Sequence, residues 1–371
     1  MAYSHNAPFR ADVVGSYLRP AELKAAREDF AAGKIDAAAL KAVEDKAITE
    51  LVAKQKAAGL HVITDGEFRR GWWHFDFMWG FNGVDHAAAA HRVAFHDEVT
   101  PADTATVTGR IYGENHPFVE HFKFVKQFED ENTVARQTMP SPAQTRFVLT
   151  GNAAAYPYDE FYKNDDELTA DIVAAYRQVI ADLYAAGCRN VQFDDCTWTR
   201  LCDASVRERL GDEDALRLQQ ENLDVINAVI ADQPDDLVIN THVCRGNFHS
   251  TWLSSGGYAP VAAKLFGEEN VDAYYLEFDD DRSGDFAPLA EVSGDKKVVL
   301  GLITSKKPDL EDPDTIKARI QEAAQYIPLD RLCLSTQCGF ASTQEGNKLT
   351  EDQQWAKIAL VQSIAKDVWG E

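Results

Sequence analysis

His242 and Cys244 lie one residue apart at the end of an apolar run that is typical of a buried β-strand. In a strand, residues i and i+2 point to the same face, so the imidazole and the thiol are expected to lie side by side. Nitrogen and sulfur are the donors that Zn²⁺ takes in tetrahedral sites. This pair alone is a weak indication of a metal site.

Two further residues with metal-binding side chains, Glu277 and Cys338, stand at the ends of later strand-like runs. Cys338 has an ordinary alternative, because a single cysteine is most often a buried thiol. Four zinc-compatible side chains at the ends of three strands are harder to explain without a metal. We therefore predict a Zn²⁺ site formed by His242, Cys244, Glu277 and Cys338.

The charge of this ligand set indicates which chemistry the metal would serve. Two thiolates and one carboxylate outweigh the double charge of Zn²⁺, and such an anionic site is a poor generator of hydroxide. It can still activate a thiol, because metal coordination lowers the thiol pKa from about 8.5. The set therefore favours alkyl transfer to a substrate thiol over hydrolysis.

The chain has six cysteines in 371 residues, too few and too scattered for a disulfide framework. Reduced thiols and the lack of an apolar signal segment at the start predict a cytoplasmic protein. Cys188 and Cys333 are expected to be structural, since they fall at a helix end and within a strand. Cys196 and Cys202 flank a loop near the strand ends and remain alternatives if one ligand is wrongly assigned.

The formal charge of −23 argues against a nucleic-acid partner, because phosphate contacts require clustered Lys and Arg. No apolar run approaches membrane-spanning length, so no membrane partner is expected either. The charge otherwise indicates only a soluble, self-repelling surface. The sequence leaves a homo-oligomer open.

Short apolar runs alternate with amphipathic stretches along the chain. Strands that alternate with helices predict a parallel sheet, and eight repeats favour a single α/β domain over residues 1–371, a (β/α)8 TIM barrel. Functional groups in such a barrel come from the carboxyl ends of the strands. The predicted strands are Ala11–Tyr17, His61–Glu67, Ala135–Pro142, Asn190–Asp195, Leu237–Cys244, Val271–Asp279, Lys296–Ile303 and Arg331–Gly339.

Residues 75–132 interrupt this alternation. They contain two alternating strand-like runs, Arg92–Val99 and Ala105–Tyr112, separated by turn-forming residues. We interpret the segment as a β-hairpin insertion after the second strand that caps one end of the barrel.

Other polar residues are concentrated at the predicted strand ends, among them Ser16, Glu67 and Asp194. Each has an ordinary alternative: Ser16 could cap a helix, and the two carboxylates could be ion-paired within the barrel mouth. Their position at the same rim as the predicted metal ligands makes them candidates for substrate contacts.

The chain resembles the catalytic C-terminal barrel of the cobalamin-independent methionine synthase family, and it is most similar to the stand-alone, single-barrel members. The resemblance covers nearly the whole chain, and His-Val-Cys with the later Glu and Cys is its most specific part. The matching segments are Val14–Ser16, Thr64–Glu67, Gln192–Asp195, Thr241–Phe248, Leu276–Asp279, Gly284–Phe286, Leu300–Lys306 and Gln337–Phe340.

The resemblance implies a zinc-dependent methyltransferase that moves a methyl group from 5-methyltetrahydrofolate, or a related donor, to the thiol of homocysteine to form methionine. The four predicted ligands would bind the catalytic zinc. Ser16 would hold the carboxylate of homocysteine, and Glu67 and Asp194 would bind its amino group.

One departure from the family concerns the acid that protonates the folate leaving group. The family carries a His near the seventh strand, whereas the matching stretch here, Gly301–Ser305, has none. Asp195 and His249 are the candidates for this acid, with Lys306 as a third. Candidates for an aromatic ring that stacks on the donor are Trp72, Trp73, Trp198 and Phe248.

Three other functions remain open at this stage. The same zinc chemistry could transfer an alkyl group to another thiol, or from a methylated corrinoid protein or an epoxide. A metal-free decarboxylase on the same barrel is disfavoured, because it would need arginines and gives no reason for the cysteines. A purely structural zinc is disfavoured because structural sites usually contain Cys and His only.

Overall fold

The computed structural model describes residues 7–89 and 92–370 as a mixed α/β structure. No helix in these residues is long and apolar enough to cross a membrane. Their strands are β1 (Val62–Ile63), β2 (Asn82–Ala88), β3 (Asp103–Tyr112), β4 (Val134–Ala135), β5 (Gln137–Pro140), β6 (Asn190–Asp195), β7 (Val238–Val243), β8 (Ala273–Glu277), β9 (Lys297–Ile303) and β10 (Leu332–Thr336).

The central element is a parallel sheet of six strands in the order β10-β9-β8-β7-β6-β5. β4 and β5 are separated by Arg136 alone, and β4 pairs in parallel with β1. The prediction of a parallel α/β sheet is therefore confirmed. The later predicted strands all reappear within two residues or so of their expected bounds.

The first two predicted strands are much shorter than expected. The first forms only an isolated parallel bridge between Ala11 and Leu334, and the second keeps only β1. Left-handed backbone conformations follow both, at Gly15 (φ 121°), Gly66 (φ 65°) and Glu67 (φ 62°). A strand requires negative φ, so the chain leaves the extended conformation at these residues.

Helices alternate with the strands along the chain, and all of them except α8 have buried residues. In the long helix that precedes β6, Leu168, Ile172, Ala175 and Val179 recur at helical spacing and are buried. The helices are α1 (Ala21–Ala31), α2 (Ala37–Ala57), α3 (Phe75–Met78), α4 (Pro117–Lys126), α5 (Pro142–Gly151), α6 (Asp165–Ala185), α7 (Thr197–Cys202), α8 (Ala204–Leu210), α9 (Asp212–Ile230), α10 (Ala262–Glu268), α11 (Pro313–Ala323) and α12 (Glu351–Trp369).

The segment between α3 and α4 differs from the predicted hairpin. Within the described residues, β3 pairs in antiparallel fashion with β2, whereas Arg92–Val99 contains only an isolated bridge between Ala94 and Val99. The prediction of a strand at Arg92–Val99 was therefore wrong. The strand that pairs with β3 is β2, which the sequence did not predict. The alternation of apolar and polar residues is a weak signal in segments this short, so it favoured the wrong one.

A buried ionic network joins elements that carry the predicted site residues. Arg136 pairs with Asp12 at 3.0 Å, with both side chains fully buried, and Tyr275 donates a hydrogen bond of 2.9 Å to the same carboxylate. Because these charges are removed from water, they are tolerated only with such partners. Asp12 precedes Ser16 by four residues, and Tyr275 precedes Glu277 by two, so the network helps to fix both positions.

Glu269, which follows α10, is a buried carboxyl group outside the predicted site. Its side chain is fully buried, and neither carboxyl oxygen makes a hydrogen bond of good geometry to a described residue. Burial, followed by the negative charge of Asp195, raises the pKa of Glu269 well above its ordinary value. The folded state therefore binds a proton that the unfolded state releases, and this difference destabilises the protein as the pH rises.

We expect Glu269→Gln to increase the free energy of unfolding at pH 8 by about 1–3 kcal/mol, because it removes a buried ionisable group. The gain should shrink as the pH falls toward the ordinary carboxyl pKa. Urea unfolding of both proteins at pH 5 and pH 8 measures this. A gain of equal size at both pH values would contradict the assigned cause.

Candidate metal centre and substrate cavity

The structure brings His242, Cys244, Glu277 and Cys338 together. One ligand atom from each lies within 4.8 Å of those of the other three, and all four residues are buried. The two sulfur atoms are 3.8 Å apart. The sequence placed these residues at three strand ends, and the parallel sheet places those ends at one edge.

Each of the four side chains is carried by a strand or by the residues that directly follow one. His242 lies in β7, and Cys244 follows β7 with its backbone N–H bonded to the carbonyl of Asp195 at 2.7 Å. Glu277 is the last residue of β8, and Cys338 comes shortly after β10. Since β7 and β8 are neighbours in register, their carboxyl ends bring the side chains together.

The hydrogen bonds of His242 and Glu277 leave one nitrogen and one oxygen atom, respectively, available to bind a metal ion. Nδ1 of His242 lies 3.2 Å from the carbonyl oxygen of Tyr275, so it carries the proton and donates. Its Nε2 has no partner among the described residues. Oε1 of Glu277 accepts from the backbone N–H of Arg245 at 2.7 Å, while Oε2 makes no hydrogen bond within the described residues and has the Arg282 guanidinium at 3.8 Å.

These observations fit a tetrahedral Zn²⁺ site. Zn–S bonds of about 2.3 Å in a tetrahedron separate two sulfurs by about 3.8 Å, which matches the distance between Cys244 and Cys338. Without a cation, a hydrogen bond between the two thiols, followed by burial, raises the pKa of Cys338 well above its ordinary value. Buried nitrogen and oxygen atoms without a hydrogen-bond partner, like those of His242 and Glu277, are expected where a metal ion binds.

Of the two alternative cysteines, only Cys196 adjoins the cluster. It lines the same cavity as Cys244, and its side chain is the main cause of the raised pKa of Cys244. Cys202 is buried at the end of α7. Neither belongs to the group of four, so the first assignment of ligands needs no substitute.

Ser16, Glu67 and Asp194 line one cavity of about 300 Å³ together with His242 and the two sulfur ligands. Glu67 ion-pairs with Arg70 at 3.2 Å through Oε1, and its Oε2 has no partner among the described residues. Asp194 accepts a hydrogen bond from the side chain of Gln192 at 2.9 Å.

The two cavity carboxyl groups are held in an environment that would favour a cation. Burial, followed by the negative charge of Glu67, raises the pKa of Asp194 well above its ordinary value. Burial also raises the pKa of Glu67, against the opposing effect of Arg70. An ammonium group between them would offset both effects, which fits recognition of an amino acid.

Ser16 lies against the loop that carries Cys338. Its Oγ accepts a hydrogen bond from the backbone N–H of Ala341 at 3.3 Å. A Cβ atom added to Gly339 would lie 1.8 Å from this oxygen, so only glycine fits there. The Ser16 hydroxyl is therefore fixed next to the predicted metal ligand, where it can contact a substrate.

The two predicted acids lie elsewhere. The Asp195 carboxylate is fully buried, accepts from Ser141 at 2.5 Å and from Thr197 at 2.6 Å, and does not line the cavity. His249 is paired through Nδ1 with Glu98 at 2.7 Å outside the cavity lining. Asp195 therefore organises the start of α7, and both assignments as the acid lose their geometric support. Lys306 is likewise paired, with Asp279 at 2.9 Å.

His74 also lines the cavity, and it was not predicted as a site residue from the sequence. Its ring centroid lies 4.5 Å from that of Trp73 and 3.8 Å from that of Phe75, and its Nδ1 is unpartnered among the described residues. Burial lowers the pKa of His74 to about 3, so the imidazole is neutral. The run of aromatic residues soon after Glu67 was the available signal.

Of the four candidate stacking rings, three line the cavity and one does not. Trp72, Trp73 and Phe248 form part of its wall, whereas Trp198 is fully buried in α7. Arg200 and Asp103 also line the cavity and were not identified from the sequence. Their side-chain directions depend on α7 and on the β2–β3 pair.

The sequence is similar to one protein family over almost all of its length. The family model described as the catalytic domain of cobalamin-independent synthase matches residues 9–360. The uncharacterized protein YxjH of Bacillus subtilis is 46% identical over 366 residues, which are 98% of this chain and 95% of that protein.

Two further comparisons concern proteins with an assigned or candidate activity. A crystal structure from Listeria monocytogenes, named as a candidate vitamin-B12-independent methionine synthase, is 40% identical, with a TM-score of 0.80 and coverage of 98% of this chain and 99% of that one. The 5-methyltetrahydropteroyltriglutamate–homocysteine methyltransferase of Cronobacter sakazakii is 25% identical over 88% of this chain and 39% of its own length.

Proposed function

The chain belongs to the cobalamin-independent methionine synthase family of methyltransferases, and on that premise we propose that it is zinc-dependent and methylates homocysteine with 5-methyltetrahydrofolate or a related donor. The observation that carries this proposal is the joint presence in one cavity of a His-Cys-Cys metal face and the carboxylates of Glu67 and Asp194. The first group suits a thiol and the second an ammonium, and homocysteine has both.

In this proposal His242, Cys244, Glu277 and Cys338 hold Zn²⁺. The bound metal would supply Lewis acidity that favours the thiolate form of a substrate thiol. Glu277 is positioned by the backbone N–H of Arg245, and His242 by the carbonyl of Tyr275. Such contacts hold ligands in place and set the tautomer of the imidazole.

Glu67, Asp194 and Ser16 orient the amino acid in the same proposal. The two carboxylates bind the ammonium group by charge-assisted hydrogen bonds, and the Ser16 hydroxyl donates to the carboxylate. The substrate sulfur then points toward the sulfur ligands and His242. It forms the new S–CH₃ bond as the N–CH₃ bond of the donor breaks, and the departing amine takes up a proton.

The direct experiment measures bound metal and methionine formation together. We expect about one zinc per purified chain, methionine formed from homocysteine and 5-methyltetrahydrofolate, and an additional sulfur neighbour at the zinc edge when homocysteine is added. Absence of methionine with every donor tested would contradict the proposal, as would copper or iron as the bound metal.

A second candidate function keeps the zinc and the thiol but changes the donor. It is favoured by one observation, that neither Asp195 nor His249 faces the cavity as an acid for a folate leaving group. A methylated corrinoid protein or an epoxide would place different demands on that acid. Comparing these donors with 5-methyltetrahydrofolate in the same assay separates the two functions.

We infer that the sheet closes into a (β/α)8 barrel over the single domain 1–371 that the sequence predicts. Supporting contacts join the first predicted strand to both of its neighbours. Ala11 forms a parallel bridge with Leu334 of β10. On the other side, Tyr17 N–H donates to Gly66 O at 3.1 Å, and the Thr64 hydroxyl donates to Gly15 O at 2.6 Å. The insertion at residues 75–132 would cover the carboxyl ends of the strands, since several of its residues line the cavity.

Glu98 helps to fasten the part of this insertion that follows residue 91, together with the backbone N–H of His96, which donates to Trp252 O at 3.0 Å. The carboxylate of Glu98 bridges His249 at 2.7 Å and Lys348 at 2.6 Å, and Phe95 packs near Phe248 with ring centroids 5.5 Å apart. His249 and Phe248 follow β7, which carries a predicted metal ligand. Loss of the bridge should therefore loosen residues 92–100 over the cavity.

We expect Glu98→Gln to increase hydrogen exchange at residues 92–100 and to raise KM for substrates by about two- to fivefold, because exposed ion pairs contribute modestly. Hydrogen–deuterium exchange and steady-state kinetics measure the two effects. Asp97→Asn is the control, since Asp97 lies 3.9 Å from His96 and makes no contact across the cavity. Equal exchange in the two variants would argue against a fastening role for Glu98.

A further inference from the structure

Arg200 is a cation that lines the cavity without an acidic partner. Its guanidinium carbon lies 4.0 Å from the ring centroid of Phe147, which lines the cavity as well. Among residues 7–89 and 92–370 it is the one Lys or Arg in the cavity wall, and no carboxylate there lies within ion-pair distance of it. This is unusual for a chain with 60 acidic and 37 basic residues.

The electrostatic environment of Arg200 is short of negative charge. Burial, followed by the positive charge of Arg209, lowers the pKa of Arg200. Arg209 is an exposed residue of α8, and it also makes no ion pair within the described residues. A cavity cation without a paired carboxylate stabilises an anion that enters the cavity beside it.

Arg200 and the predicted metal ligands share one cavity. Arg200 follows Cys196 by one helical turn, about 6 Å along the helix. Cys196 lines the same cavity as Cys244, one of the predicted ligands. Phe147, against which Arg200 packs, is 38% exposed, so the guanidinium lies toward the mouth of the cavity.

A ligand that reacts at the metal centre would therefore extend its remote end toward Arg200. Under the proposed function, the ammonium and carboxylate of homocysteine are already bound by Glu67, Asp194 and Ser16. The group left for Arg200 belongs to the second substrate, the methyl donor. Because the guanidinium packs against the ring of Phe147 through its face, its edge stays available to donate two hydrogen bonds to an oxyanion.

We propose that Arg200 forms an anion subsite at the cavity mouth that binds a carboxylate or phosphate group on the methyl donor. The inference rests on the proposed function, because the ligand is the donor of that reaction. It adds a determinant of donor specificity on α7, away from the metal ligands and the amino-acid residues.

The kinetic test compares Arg200→Gln with wild type on donors with and without the anion. For the carboxylate source the pair is 5-methyltetrahydropteroyltriglutamate and 5-methyltetrahydropteroate; for the phosphate source it is methylcobalamin and methylcobinamide. We expect the variant to raise KM for the anionic donor about 10- to 100-fold and to leave kcat and the KM for homocysteine within about twofold. The preference of wild type for the anionic member of one pair identifies the source.

Two control variants show whether the effect is specific. Arg207→Gln removes a half-buried cation of α8 that makes no ion pair and does not line the cavity, and it should behave as wild type. Arg200→Lys should restore part of the affinity, since it keeps the charge but not the paired N–H groups. A rise in the KM for homocysteine alone would overturn the proposal, because Arg200 would then bind the amino acid.

A binding experiment tests the subsite even if methyl transfer is not observed. Calorimetric titration of the zinc-loaded protein with tetrahydropteroyltriglutamate and with inorganic pyrophosphate needs no turnover. We expect at least one of these probes to bind wild type and Arg207→Gln alike, and Arg200→Gln about tenfold or more weakly. Equal affinity for Arg200→Gln and wild type, or no binding of either probe to wild type, would overturn the subsite independently of the reaction.

Discussion

Cys338→Ser is expected to abolish metal binding and methyl transfer together while the chain stays folded. The Cys338 sulfur lies 3.8 Å from that of Cys244, and a serine hydroxyl is a much weaker zinc ligand than a thiolate. We expect bound zinc to fall from about one per chain to below about 0.1, and kcat/KM to fall by about a thousandfold or more. Elemental analysis and steady-state kinetics on the purified variant measure both.

A matched control for this variant is Cys333→Ser in β10, the strand that precedes Cys338. Cys333 is fully buried in β10 and lies outside the group of four donors. It should keep zinc and activity and lose some stability. Circular dichroism on both variants checks the fold. Global unfolding of Cys338→Ser alone would indicate a structural metal, and retention of zinc would remove Cys338 from the ligand set.

Glu67→Gln is expected to have the second largest effect, on the recognition of homocysteine. The substitution keeps the shape of the side chain but removes one of two charges that would face the ammonium group. We expect kcat/KM for homocysteine to fall by about 100-fold, with the donor KM changed by less than about twofold, because charge-assisted hydrogen bonds are lost on one substrate only. Steady-state kinetics with each substrate varied in turn measures this.

The substrate analogue 4-mercaptobutyrate provides the control, because it lacks the amino group. Wild type should prefer homocysteine to the analogue strongly, and Glu67→Gln should lose most of that preference. An unchanged preference would show that Glu67 does not contact the amino group. The ion pair between Glu67 and Arg70 would then be a structural contact.

The same carboxylates predict a dependence on pH. The raised pKa values of Asp194 and Glu67 mean that both groups take up protons at a higher pH than ordinary carboxyls do. A protonated carboxyl no longer attracts an ammonium group, so kcat/KM for homocysteine should decline as the pH falls through those raised values. In Glu67→Gln the decline should move to lower pH, since the charge of Glu67 helps to raise the pKa of Asp194. A pH profile of kcat/KM for both proteins checks the shift.

The sequence by itself predicted the four side chains that the structure brings together. His242 and Cys244 share a face because side chains alternate along a strand, and β7 has almost the bounds that the apolar run predicted. Parallel strands end at the same edge of a sheet, so Glu277 and Cys338 could be placed beside them without coordinates. The same reasoning placed Ser16, Glu67 and Asp194 at that edge, and all three line the cavity.

Only the tertiary structure decided which of the remaining polar groups face the cavity. Alternation puts the adjacent residues Asp194 and Asp195 on opposite faces of β6, but it does not say which face is which. The structure shows Ser141 and Thr197 bound to Asp195, while Asp194 lines the cavity. His74 and Arg200 lie on a loop and a short helix without a regular period, so their directions follow from packing against Phe75 and Phe147. Period and spacing fix the side chains of long strands, whereas residues on loops are directed by neighbours that are distant in sequence.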